Sequence, residues 1–119
     1  MQIGERKYDN LLAGGISPIV SKGATLKAGQ QYFRGDVLAL DADNKAVLID
    51  SESEVDSVKE PYAILAEDVD ATEEDAEAGV YLTGEFNAHA LRTSDNDEIY
   101  DHIIALRNIG IFVKENIEA

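Results

Sequence analysis

The chain has no cysteine. That excludes a disulfide framework and any thiolate-ligated metal. It has no tryptophan, one methionine and two prolines. Positive charge is scarce as well: 10 Lys and Arg stand against 24 Asp and Glu, a net of −14. Such a surface repels nucleic acid and anionic membranes, so neither is an expected partner. No apolar run approaches the roughly 18 residues that mark a membrane-crossing helix. The opening MQIGERKYDN lacks an apolar h-region, so no secretory signal peptide is expected.

At 119 residues the length suits one domain. A chain of this mass buries about two-thirds of its unfolded surface. That is a modest core, and small β domains often gain stability by oligomerising. The charge is placed unevenly. Residues 1–50 hold six cations and six acids, whereas residues 51–119 hold four cations and eighteen acids. Either the second half is simply well solvated, or it forms a repulsive face beside a neutral binding end.

The chain is organised around Pro61 to Leu91, which reads as two strands and an acidic loop. Tyr62 to Ala66 is a continuous apolar run, as expected of a strand covered on both faces. Val80 to Leu91 alternates. Val80, Leu82, Gly84, Phe86, Ala88 and Ala90 share one face, and Tyr81, Thr83, Glu85, Asn87 and His89 the other. The loop between them, Asp68 to Gly79, is rich in carboxylates and has no cation.

Upstream, residues 1 to about 15 have no sustained period and end in Gly14-Gly15. Tyr8, Leu11 and Leu12 are large apolar residues in an otherwise polar arm, which orders only if something ties it down. Ile16 to Lys22 reads as a strand, with Pro18 near its start. Tyr32 to Leu40 is a second, with Gly35 at a bulge. Asp41 to Lys45 is a turn, and Ala46 to Ile49 returns to complete a hairpin. Asp50 to Glu60 is an exposed polar loop. Downstream, Asp95 with Glu98 resembles a capping box. A helix follows from about Asp97 to Asn108, carrying Ile99, Ile103 and Leu106 as its stripe. Gly110 stops it, and Ile111 to Lys114 is a short strand. The expected architecture is mainly β (α+β): a small barrel-like or sandwich-like domain with one C-terminal amphipathic helix. Its expected core includes Leu65, Leu82, Phe86, Ile103 and Leu106.

No catalytic constellation emerges. His89 and His102 lie on different elements without a neighbour at metal-ligand spacing. His102 follows Glu98 at i+4, which suggests a helix-surface pair. A serine nucleophile would need one of them as base, and no G-x-S-x-G occurs. Asp68-x-Asp70-x-Thr72 opens like a calcium loop, but Glu73 stands where glycine is needed and Gly79 where a bidentate glutamate is needed. A carboxylate pair for glycoside hydrolysis has no tryptophan and no cleft signal beside it.

AILAEDVDAT, VYLTGEFN and ALRNIGIFVK, in that order, resemble the head decoration protein family of tailed phages. The similarity runs from about Tyr8 to Lys114. It implies a structural virion protein with no cofactor, metal or enzymatic activity, made in the bacterial host cytoplasm. It implies a homotrimer on the outer capsid surface, at threefold sites of the expanded head, clamping the major capsid protein and stabilising the shell. The resemblance assigns shell binding to the arm, chiefly Tyr8, Asn10, Leu11 and Leu12, with residues 16–119 as one decoration domain. Deleting residues 2–14 is then expected to leave the melting temperature nearly unchanged and to abolish capsid binding. Two readings from other classes remain: an acidic DNA mimic that inhibits a nucleic-acid enzyme, and a cation-dependent enzyme using the acidic loop. The first needs carboxylates spread along an elongated face, and here they cluster. The second predicts a heat of calcium or magnesium binding.

Overall fold

The computed structural model describes Leu11 and residues 19–114, with backbone alone for 19–22. Its strands are β1 (Ile19–Leu26), β2 (Gln30–Tyr32), β3 (Val37–Leu40), β4 (Ala46–Leu48), β5 (Ala63–Leu65), β6 (Val69–Ala71), β7 (Ala76–Asn87) and β8 (Ile111–Lys114). The α-helix among the described residues is α1 (Ile103–Asn108), led in by a 3-10 turn over Ile99–His102. Five strands run in the order β1-β4-β3-β5-β7, and a β1–β7 pairing closes them into a barrel. Closure removes the open edges that would template pairing with other chains. β8 adds to β7 outside the barrel, in parallel, with Gly84 facing Ile111 and Asn87 facing Lys114. β2 and β6 form a separate antiparallel ribbon.

β7 is the spine. It pairs with β1 from Ala76 to Thr83, with β5 at Val80 and Tyr81, and with β8 from Gly84 to Asn87. It begins four residues before the expected strand and ends at Asn87. The Asn87 carboxamide oxygen there accepts the His89 N–H at 3.1 Å and starts a 3-10 turn over Ala88–Ala90. The acidic stretch is therefore largely strand: it holds β6 and the first residues of β7. Small apolar residues at every second position explain this. Val69 and Ala71, then Ala76 and Ala78, turn inward while the carboxylates point out.

Tyr32 to Leu40 is not one strand either. Gly35 takes φ +99°, a left-handed conformation that ends the first half and starts β3 after a tight turn. A Cβ on Gly35 would lie 2.3 Å from the Ala90 carbonyl oxygen, so the chain passes there only as glycine. The β3–β4 hairpin does form, in the register Leu38↔Leu48 and Leu40↔Ala46. The Asp41 carboxylate accepts N–H bonds from Asp43 and Lys45, and Asn44 takes the left-handed corner at φ 65°. The loop Asp50 to Glu60 contains a 3-10 turn, Asp56–Lys59, that buries Val58.

Alternation splits the apolar residues into two clusters. Leu26, Leu38, Ala46, Ala63, Leu65, Ala78 and Val80 draw on all five barrel strands and pack together with Tyr32 and Ala71 of the ribbon. Val37, Ala39, Ile64 and Tyr81 face the other way, towards Phe86, Ile99, Leu106 and Ile111. This double burial accounts for the unbroken apolar run in β5. Leu65, Phe86 and Leu106 are fully buried. Leu82 and Ile103, expected in the core, are only half-buried. Leu82 lies one residue beyond the β5 ladder, at the barrel rim. Ile103 lies at the edge of the stripe, whose buried centre is Ile99, His102 and Leu106. The capping box also shifts: Glu98 is the N-cap and Asp101 the return partner, rather than Asp95 and Glu98.

One charged pair fixes the chain after β7. Arg92 grips Asp36 with two parallel bonds, 2.6 Å and 2.7 Å, and Asp36 is wholly buried. The Asp36 carboxylate also accepts the Phe33 N–H. Arg92→Ala leaves a buried carboxylate without its cation. We expect a loss of about 2–3 kcal/mol, below the usual cost of breaking a buried pair because the guanidinium is itself part-exposed. Urea unfolding measures it. Arg92→Lys keeps the charge without the fork and should recover only part of the loss.

Candidate assembly surface

The histidine of the C-terminal segment is buried, not paired on a helix surface. His102 is 5% exposed, and its Nε2–H donates to Asp97 Oδ2 at 2.8 Å. Residues 99–102 wind as a 3-10 turn, so Glu98 and His102 do not stack as they would at i,i+4 of an α-helix. Ser51 Oγ–H donates to the other Asp97 oxygen at 2.5 Å, and the Ser51 N–H donates to Asp97 Oδ2 at 3.0 Å. Serine and histidine thus meet through the carboxylate. The hydroxyl faces an acid, not the imidazole, so the arrangement lacks the serine–base contact of nucleophilic catalysis. It works as a clasp between the 50–53 loop and the start of the helical segment.

Burial acts to raise the Asp97 pKa, but the bonds from Ser51 and His102 outweigh it and hold the carboxyl below its ordinary value. A depressed folded-state pKa contributes stability that is complete above the unfolded value, about 3.9, and is lost as pH falls through the folded value. We therefore expect Asp97→Asn to be less stable than wild type at pH 7. The gap should begin to narrow below about pH 4, where the carboxyl of the unfolded wild-type chain takes up a proton before that of the folded one. Urea midpoints measured from pH 7 to 3 check this; a gap independent of pH would separate the clasp from its charge.

Among the described residues no three His, Asp or Glu side chains converge as a metal would require. Asp70 spends its carboxylate locally, accepting from the Thr72 N–H and hydroxyl at 3.0 Å and 2.7 Å.

Tyr8, Asn10 and Leu12 lie outside the described residues. Leu11 is the one residue of the arm that the structure describes. It is 1% exposed within the cluster of Phe86, Ala88 and Leu106, and its carbonyl accepts the Asn87 N–H at 2.6 Å. Its seat is built by Gly35 and the end of β7, far away in sequence. A single leucine without periodicity gave no signal of that contact.

The described surface exposes five large apolar side chains: Phe33, Val55, Tyr100, Ile104 and Ile109. Three of them fall within ten residues of the helical segment. Phe33 lies under the Arg92 guanidinium, 4.9 Å from ring centre to carbon, beside a cleft of about 260 Å³. Gln31, Tyr32, Asp68, Val69 and Asp70 complete that cleft.

The described residues thus form a small closed barrel with spare apolar surface. The family model of the bacteriophage lambda head decoration protein D matches residues 1–111, and the chain belongs to that family. Its class is thus that of the structural proteins of the phage head, not of enzymes. No curated protein matches the chain.

Proposed function

We propose that the protein decorates the outer surface of a phage head, binding as a homotrimer at threefold sites of the expanded shell. It clamps neighbouring major capsid proteins and stabilises the lattice against loss of subunits. The observation that carries this reading is the family match, which spans residues 1–111 and so includes the arm as well as the barrel. Two features of the chain support it. Leu11, within the stretch to which the resemblance assigns shell binding, is seated in the core. The acidic second half keeps free subunits soluble in the host cytoplasm and apart from packaged nucleic acid.

Binding falls to the arm, through Tyr8, Asn10 and Leu12, with Leu11 serving as its anchor. An extended segment gains most by adding a strand to a partner's sheet edge, where backbone hydrogen bonds supply affinity. Co-sedimentation with expanded and unexpanded capsids of one phage tests the reading. The protein should pellet with expanded shells and stay in the supernatant with unexpanded ones. Equal binding to both, or to neither, would overturn it.

A further inference from the structure

The trimer reading leaves open which surfaces meet. A closed threefold ring is heterologous: one patch on each copy meets a different patch on the next. Three copies of a chain carrying −14 repel one another, so contact belongs where acid is scarce on at least one side. Residues 99–114 satisfy that. They hold one acid, Asp101, and two fixed cations, Arg107 and Lys114, both exposed. In the same segment Ile104 is 62% exposed, more than any other large apolar residue described, with Tyr100 one helical turn before it.

The complementary patch needs apolar surface, a concavity and negative charge. The cleft beside Phe33 has all three. Phe33 and Val69 supply apolar wall, and Asp68 and Asp70 supply charge, with Arg92 over the Phe33 ring and the Arg34 N–H bonded to Asp68. Glu73 and Glu74 continue the acidic rim in the adjoining hollow. We propose, resting on the trimer reading, that Ile104 of one copy seats in the Phe33–Val69 cleft of the next, with Arg107 turned to Asp68 and Asp70. The apolar contact excludes water at the centre, and the opposite charges at the rim fix the pairing direction.

The cysteine-free sequence makes a clean test. Phe33→Cys and Ile104→Cys are placed in one chain, and the protein is oxidised on decorated shells. Covalent trimers are expected from the double variant, and monomers from each single variant. Trimers on the shell without crosslinks overturn this assignment alone. So do crosslinked dimers from Ile104→Cys by itself, which mark a twofold contact, and a double variant that closes its disulfide within one chain. Single subunits on the shell, seen by electron cryomicroscopy, overturn the trimer reading and this one with it. Independently, Ile104→Asp should weaken self-association about tenfold or more with its melting temperature unchanged, because the site is solvent-exposed in the monomer. Wild-type self-association of that variant overturns the assignment.

Discussion

Phe86→Ala should cost about 3–5 kcal/mol, measured as a fall in the urea midpoint at unchanged slope. Phe86 is wholly buried and sits where β7 pairs with β8, opposite Val113. Its ring centre lies 5.5 Å from that of Tyr81, and Leu11, Leu106 and Ile111 share its cluster. β7 is held there by its ladder to β8, and the surrounding groups belong to several elements. They cannot all move in to fill the space, so the loss should exceed transfer of the ring alone. Domains of this size have about 5–15 kcal/mol in total, so the variant would be close to its folding limit. The barrel-facing cluster is separate, which gives a second readout. Hydrogen exchange should rise more in β8 and α1 than in the β2–β6 ribbon, whose apolar residues belong only to the barrel-facing cluster. A loss under about 1 kcal/mol would mean that the site collapses freely, contrary to the two-cluster description.

The sequence carried the barrel better than its punctuation. The continuous run in β5, the β3–β4 hairpin and the terminal strand β8 each rest on local pattern, and each forms. Misread stretches share one cause: local charge or spacing spoke for one structure and a distant partner imposed another. Ala71 and Ala78 are weak apolar signals among carboxylates, yet the ribbon and barrel bury both. Gly35 looked like a bulge; the Ala90 carbonyl pressed against it makes it a turn. His102 sat at helical spacing from Glu98, and the clasp with Asp97 and Ser51 draws it inward instead. For the assembly surface, Ile104 was legible as apolar, and helical spacing from the buried Ile99, His102 and Leu106 places it on the outer face. The Phe33 cleft had no legible signal, because its two walls are 35 residues apart in sequence, from Phe33 to Asp68.

Removing the arm should show two separable effects, with the boundary at Leu11. From sequence alone, deletion of residues 2–14 leaves the melting temperature unchanged. The burial of Leu11 changes that expectation. Leu11→Ala should cost about 2–5 kcal/mol, as for other buried leucines. Deletion of residues 2–14 should cost at least as much, because the Asn87 N–H also loses its carbonyl partner in a buried setting. A loss near 3 kcal/mol lowers the melting temperature by roughly 10 °C in a domain of this size. Deletion of residues 2–10 spares the anchor. It should leave the melting temperature within about 2 °C of wild type, since surface changes are usually worth less than 0.5 kcal/mol. Both deletions should abolish binding to expanded capsids, because both remove Tyr8 and Asn10. Leu11→Ala in the full-length chain provides the remaining comparison. At a temperature where the variant is folded, it should still bind, more weakly, because the arm is present but its root is loose. If the 2–10 deletion decorates capsids with wild-type affinity, the arm is a bystander and the shell contact lies on the barrel. If that deletion melts as low as the 2–14 deletion, the stabilising contacts begin before Leu11 and the anchor is misplaced.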